Sequence, residues 1–537
     1  MFYSPPSAFR RIAGDLAPRL RAAFGSADTT RQRALLQFAA ELSTWLRAFV
    51  PLWNLSNPAL FPQDALPADD VAHLGQAWHA LAAELARSAP EAEADLLAMR
   101  RLQAAARFRA EAAADPEAEA SAFVGASLPA SLEALEHALR ASQLRRIAEL
   151  RAAGGTRTEI SNDYAAFLDY ALLLGASFVT CNPPLVDLAW RADPARWDPV
   201  VDRLHAAQPK ADGDALARSV TLEIVLANMR GLRPIFLLTE GRMGCVSLQV
   251  NPKRHDDAGT MLRDAGAIYA ELSARLDGEV PNVVFKLPGT QSGLDACREL
   301  TGSGIGVTIT VNFGLFQHLP FARAISEGGA LFSTLAHMSG RLAFPVRDEL
   351  LGRLSDLSAE GISENQARVA AAWSGVAVLK RLQRVMTQRG IDLARVKPLI
   401  ASLRVYQGEP HAALPSAVPD ITEVLGTGIL TVFPNVRRAF DQGPQLPLDP
   451  ARIEAPAPPE ALRVLRYSEL FKQAYWLGPW ADSGETDDPA LRPAHPLSLN
   501  DARATAAWTP VANTLDEFCK AYDTFVDRIL ARRPRAG

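Results

Sequence analysis

Lysine 286 stands in the stretch Pro281 to Thr290, PNVVFKLPGT, directly after the apolar run Val283, Val284 and Phe285, which Pro-Asn precedes and Pro-Gly follows. Such a run reads as a short strand buried on both faces. Lysine is among the residues least often fully buried, so at the end of that strand it is either reaching solvent or being used. If the ammonium is desolvated its pKa falls, and the free amine becomes a nucleophile for carbonyl carbon, which is Schiff-base chemistry. Taken alone, a lysine that merely terminates an edge strand fits the same stretch.

The neighbouring apolar runs carry polar groups at strand spacing. In GCVSLQV, Val246, Leu248 and Val250 share one face while Ser247 and Gln249 share the other. In VTITV, Val307, Ile309 and Val311 oppose Thr308 and Thr310. Thr180 and Asn182 fall on one side of FVTCN, and Ser402 and Arg404 on one side of LIASLR. Each pair alone fits a strand with one solvated face. Shared by four runs that alternate with helical stretches, the pattern predicts a polar mouth into which Lys286 points.

The elements that must position these residues are candidate strands near Thr158 to Ser161, Ser177 to Cys181, Cys245 to Val250, Val283 to Lys286, Gly306 to Val311, Ala330 to Ser333, Pro398 to Leu403 and Ile429 to Phe433. The alternation predicts an α/β fold, a closed (β/α)8 TIM barrel over residues 156–445, with functional groups at the carboxyl ends of the strands. Residues 1–155 show helical spacing instead. Leu35, Phe38, Leu42, Trp45, Leu46 and Phe49 recur at three and four, with Asp28 and Thr29 as candidate caps and Pro51 as a stop. Val71, Leu74, Trp78, Leu81 and Leu85 repeat the pattern, as do Leu132, Leu135, Leu139, Leu144 and Ile147 ahead of Gly154-Gly155. This N-terminal helical region could cap the barrel, make an oligomer contact or hold a partner. Residues 446–537 form a C-terminal extension. It begins in the proline-rich stretch Gln445 to Pro459 and ends in an amphipathic helix, Leu515 to Leu530, expected to pack on the barrel.

Composition narrows the partners. Among 537 residues, 48% are hydrophobic and 22% charged, and the net charge of -4 carries no long run of one sign. Neither nucleic acid nor an anionic membrane is indicated, and no window approaches a membrane span. The four cysteines, Cys181, Cys245, Cys297 and Cys519, are widely spaced without C-x-x-C, which argues against a disulfide framework or a zinc site and fits a reducing cytoplasm. The start MFYSPPSAFRRIAGDL lacks the pattern of a secretory leader. No metal or cofactor is expected, and a homo-oligomer is left open.

From about residue 156 to 531 the chain resembles the transaldolase family of Schiff-base enzymes. VTCNPPLV is similar to the family's second-strand turn, VSLQV to its third strand, VVFKLPGT with Gly293-Leu294 to its lysine strand, and GIGVTITVNFGLFQ to its fifth. Gly340-Arg341, Ala401-Ser402-Leu403-Arg404 and the closing helix follow in the family's order. The resemblance implies that Lys286 forms an imine with a ketose and that Asp163 transfers the proton, Asp169 being the other aspartate in reach. It implies that Asn182 and Thr180 hold the imine region, that Thr310 positions the catalytic water, and that Arg341, Ser402 and Arg404 bind a sugar phosphate. Gln249 stands where the family has a proton-relaying glutamate, so the relay falls to Asp163 or a neighbour such as His337. The fructose-6-phosphate aldolase branch has glutamine there too, with a tyrosine where this chain has Met338. Thr308 replaces a usual asparagine and Ala336 a usual serine. The expected activity is transfer or release of a dihydroxyacetone unit in carbohydrate metabolism of the pentose phosphate kind. A divergent Schiff-base aldolase on a specialised sugar is the first alternative. A non-catalytic barrel that binds sugar phosphate as an interaction platform is the second.

Overall fold

The computed structural model of the protein describes residues 6–25, 28–53, 66–482 and 484–532; the part of the leader reading that rests on Met1 to Pro5 lies outside them. Eight parallel strands close into a barrel in chain order: β1 (Glu159–Asn162), β2 (Ala176–Thr180), β3 (Cys245–Gln249), β4 (Val283–Pro288), β5 (Val307–Asn312), β6 (Ser333–Met338), β7 (Val396–Ala401) and β8 (Ile429–Val432). β1 pairs β8 from Glu159 with Ile429 to Asn162 with Val432, which completes the ring.

Three strands differ from their expected bounds by more than one residue. β6 begins at Ser333 instead of ending there, because the backbone at Gly329 bonds back to Thr301 O and holds the preceding residues in a loop. Its sequence, STLAHM, is poor in β-branched and aromatic residues and hides a strand from propensity alone. β4 continues past Lys286 to Pro288, so the lysine lies within the strand. β7 stops at Ala401, since Ser402 adopts φ 57°. The strand alternation that grouped Ser402 with Arg404 therefore does not apply there.

Inside the barrel the side chains sort into layers. Phe178, Cys245, Val284, Phe332, Ala336, Leu399 and Ile429 pack into one apolar cluster. They belong to or flank β2, β3, β4, β6, β7 and β8, and strands that are not neighbours can share a contact only through the interior. Each large side chain fully buried in this way contributes roughly 1.5–3 kcal/mol. Polar side chains occupy the levels beyond it. Thr334 Oγ1 donates to Thr308 Oγ1 at 2.9 Å, and Ser161, Thr431 and Thr180 form a hydroxyl row at 3.0 and 2.5 Å.

The chain divides into two compact units, Met1–Gly155 with Asp169–Ala176, and Thr156–Leu168 with Ser177–Gly537. From Pro6 to Ala152 every described element is helical. Asp28 caps the helix Thr29–Thr44 by accepting from the Thr30 and Arg31 N–H groups. That helix runs on through Trp45–Phe49 and Val50–Trp53, so Pro51 sits in a helical turn and is not a stop. Leu36, Leu42, Leu46, Trp78, Leu81 and Leu85 share its core. The stripe read from Leu132 to Ile147 falls on two helices, Leu128–Ala141 and Gln143–Ala152, divided at Ser142, which caps the second. In the second unit, the closing helix Thr509–Ala531 buries Leu515, Phe518, Tyr522, Phe525 and Ile529, the stripe its periodicity predicts. Ion pairs from Arg528 to Asp187 and from Asp523 to Lys253 flank it at 2.6 and 2.7 Å. Among the described residues no helix is long and apolar enough to cross a membrane.

Candidate active site

β3, β4 and β5 pair in a register that sets Gln249 beside Lys286 and Lys286 beside Thr308. Lys286 is 6% exposed. Its ammonium donates to the Cys181 carbonyl at 3.3 Å, and among the described residues no carboxylate pairs with it. Burial holds its pKa below the usual lysine range, and the negative charge of Asp163 only partly opposes this.

Asp163 continues the β1 ladder, its N–H donating to Val432 O. Its carboxylate lies deep among protein atoms yet keeps some accessible surface, and burial pushes its pKa up against the charge of Lys286 and the Thr180 hydrogen bond. Thr180 Oγ1 donates to Asp163 Oδ1 at 2.7 Å. Because a hydroxyl carries one proton, Thr431 must then donate to Thr180 and Ser161 to Thr431, a row that aims its dipoles at the carboxylate. Sequence reasoning passed over Thr431 and Ser161, although the alternation of Ile429, Thr431 and Phe433 would have found the first. Asp169 is exposed and belongs to the other compact unit.

The remaining residues divide into those the fold brings to this centre and those it turns elsewhere. Asn182 caps the helix Pro183–Ala192, its Oδ1 accepting from the Leu185 N–H at 2.9 Å, and among the described residues its amide nitrogen has no hydrogen-bond partner. Gln249 Oε1 is buried with no hydrogen bond among the described residues. Both border a cavity of about 330 Å³ that Cys181, Asn251 and Tyr522 also line, while Lys286 lies outside its walls. Thr310 donates to Met338 Sδ at 3.6 Å. His337 is turned out of the relay: it meets His318 at 3.2 Å, and burial pushes its pKa down to about 3.

Arg341 opens the helix Ser339–Gly352 that follows β6, and Arg404 follows β7. The two guanidinium groups lie close enough that Arg341 helps lower the pKa of Arg404, after burial, and both hold down that of Asp163. They therefore sit at the same end of the barrel as Lys286. Gly340 makes this possible, because a Cβ there would meet Arg404 Cγ at 2.5 Å and Ser402 O at 2.4 Å. Asp420, which no sequence pattern singles out, ties the two segments together. It accepts from Ser339 Oγ at 2.6 Å and from the Arg404 N–H at 3.0 Å. Ser402 contributes its backbone, its carbonyl accepting from the Gly340 N–H.

Backbone strain gathers at the same rim. Ser402 and Val311 both have positive φ, 57° and 52°, and for a β-branched valine that is a genuine outlier. Gln317 over-determines the turn at Val311. Its Nε2 donates to Gly289 O and Val311 O at 2.7 and 3.1 Å, and its Oε1 accepts from the Phe313 N–H at 2.9 Å.

Fold and site together define a (β/α)8-barrel protein whose polar centre, a desolvated lysine with a carboxyl group and two arginines in its field, lies at the carboxyl ends of the strands. Residues 157–468 match the family described as transaldolase/fructose-6-phosphate aldolase, and the chain belongs to that family. The transaldolase of Neisseria meningitidis serogroup C (strain 053442) is 30% identical over 34% of this chain and 53% of its own length. The transaldolase of Thiobacillus denitrificans is 25% identical over 45% of this chain and 60% of its own. Transaldolase 1 of Streptomyces coelicolor is 37% identical over 20% of this chain and 26% of its own. The chain thus spans about half the length of the first two, and residues 1–156 lie outside the family match.

Proposed function

We propose that the chain is a transaldolase-like enzyme that forms an imine between Lys286 and a phosphorylated ketose, then transfers or releases a dihydroxyacetone unit. The observation that carries this is the placement of Lys286, sealed in the barrel wall with one carbonyl contact and, among the described residues, no carboxylate partner. A larger share of such an amine is unprotonated near neutral pH than of an exposed lysine. Its lone pair attacks the ketone carbon, the carbinolamine loses water, and the resulting iminium draws the electron pair of the adjacent carbon-carbon bond as that bond breaks. Asp163 takes the proton from the C4 hydroxyl as the aldehyde leaves, and the hydroxyl row behind Thr180 stabilises its ionised form. Arg341 and Arg404 take the terminal phosphate. Asn182 and Gln249 supply amide groups to the imine region, and Gln249 orients water without being able to ionise. Thr308 lines the wall beside the lysine.

Thr310 favours a second reading, an aldolase on a specialised sugar, because its hydroxyl is engaged by Met338 instead of being free for water. Incubation with fructose 6-phosphate and borohydride, read by intact mass, tests the imine. An adduct in the wild type that is missing from a folded Lys286→Ala variant is the expected result, and an adduct that persists in the variant refutes it. A panel of ketoses run in the same assay separates the two readings.

A further inference from the structure

One member of the arginine pair already holds an anion. Arg341 Nη1 and Nη2 donate to Glu517 Oε2 and Oε1 at 2.5 and 2.6 Å, a two-bond fork of the geometry arginine offers to carboxylate or phosphate alike. Glu517 comes from the closing helix, and the neighbouring Phe518 ring lies 5.3 Å from the Arg341 guanidinium carbon. The Arg341 hydrogen bonds, and the charges of both arginines, hold the Glu517 carboxyl below its usual range, so it is ionised. Arg404 is in the opposite condition. Among the described residues its side chain donates only to the Leu403 carbonyl at 3.3 Å and no carboxylate pairs with it, although the Nε of both arginines is buried without a hydrogen bond there.

The pair is also unequal in freedom. Arg341 is 20% exposed and lies close to an aromatic ring, whereas Glu517 is 57% exposed and can turn into water. A dianionic group bridging both arginines would meet the Glu517 carboxylate at Arg341, and like charges at that distance repel.

We propose that Glu517 is an internal competitor for the distal phosphate of the substrate: it claims the binding face of Arg341, must swing away when a phosphate spans Arg341 and Arg404, and thereby sets how strongly the site prefers phosphorylated over neutral ketoses. This rests on the sugar-phosphate reading above. It makes Glu517 a specificity-determining residue that touches neither the imine nor the bond being broken.

The test uses the full chain, with Glu517→Gln and Glu517→Ala, at constant ionic strength. Inorganic phosphate binding is measured by calorimetry, and KM for fructose 6-phosphate and for unphosphorylated fructose by turnover. Both variants are expected to bind phosphate roughly fivefold more tightly, the upper end for one partly exposed ion pair. The KM for fructose 6-phosphate falls by the same factor, and that for fructose does not move. Unchanged or weaker phosphate binding overturns the proposal and makes Glu517 a prop that holds Arg341 in place; the isosteric Gln variant guards against loss of helix packing in the Ala variant. The two readings fail separately. Tighter phosphate binding in the variants with no trapped adduct in any protein removes the enzymatic reading alone, whereas a trapped adduct with unchanged phosphate binding removes the Glu517 proposal alone.

Discussion

Lys397 and Lys286 both lie within the barrel, and their surroundings separate a lysine that holds the fold from one that is available for chemistry. They share one row of paired residues, from Gln249 through Lys286, Thr308 and Thr334 to Lys397, and strand tilt carries that row from near the carboxyl ends of the strands toward the amino ends. Lys397 donates to Glu159 at 2.6 Å and to the Arg242 carbonyl at 3.1 Å, and lies 4.5 Å from the centre of the Phe332 ring. Ser177 closes the other oxygen of Glu159. Lys286 is as deeply buried, with a single 3.3 Å contact to a carbonyl. Burying a cation without its counterion destabilises the charged form, and that is the condition under which an amine becomes a nucleophile.

The contrast breaks most visibly in covalent trapping. Lys286→Ala abolishes the borohydride adduct, while Lys397→Met, where it folds, retains it; trapping lost in both would mean that burial alone does not distinguish them. Stability divides the same pair the other way. Lys397→Met removes the cation bonded to the buried Glu159 carboxylate and is expected to cost about 3–5 kcal/mol in urea denaturation, most of it recovered in Glu159→Leu, Lys397→Met. Lys286→Met should shift stability by less than about 1 kcal/mol or raise it, and a loss as large as that at Lys397 would contradict the comparison.

Next in size is the row neighbour of Lys286. Gln249 cannot ionise, so Gln249→Glu gives the imine region a second acid-base group and is expected to raise turnover of fructose 6-phosphate on the order of a hundredfold. A slower glutamate variant, or a wild type that already matches an ordinary transaldolase, would remove Gln249 as the weak link in proton transfer.

The smallest effect concerns Asp420, whose carboxyl burial pushes up to about 6. Its unfolded value lies near 4, so between about pH 4 and 6 the folded chain keeps a proton the unfolded chain has lost. Wild-type stability therefore falls as pH rises through that window, by about 2 kcal/mol from this group. Asp420→Asn lacks the dependence, so the variant should compare worst with wild type near pH 4 and gain on it up to pH 7. Parallel stability curves for the two proteins would show that Asp420 is not protonated there.

Local pattern alone determined a good deal of this molecule. The number of strands, the polar faces of β2, β3 and β5, the helical character of the described residues between 6 and 152 and the buried stripe of the closing helix all follow from the period at which apolar residues recur, which reports burial directly. Lys286 was legible because a charged residue interrupts an apolar run. The placement of β6 was not, since Ser333 to Met338 carries little β propensity and becomes a strand through its neighbours on both sides. Nor was the way Ser402 leaves β7, because a positive φ at a serine is set by surroundings and has no sequence signal of its own.

What only the tertiary structure decided is which charges have partners. Lys397 meets a carboxylate 238 residues away, Arg341 one 176 residues away, and Ser339 one 81 residues away. Nothing in the spacing of a lysine or arginine along the chain tells whether a distant acid will reach it, because ion pairing acts over a few ångströms in space and is indifferent to separation in sequence. The sequence by itself put Lys286 in a strand and Arg404 just after one, while Lys397 fell ahead of the expected seventh strand and Arg341 well past the expected sixth. Closure of the barrel made Lys397 a satisfied pair and left Lys286 without a counterion, and the docking of the last helix set Glu517 on Arg341.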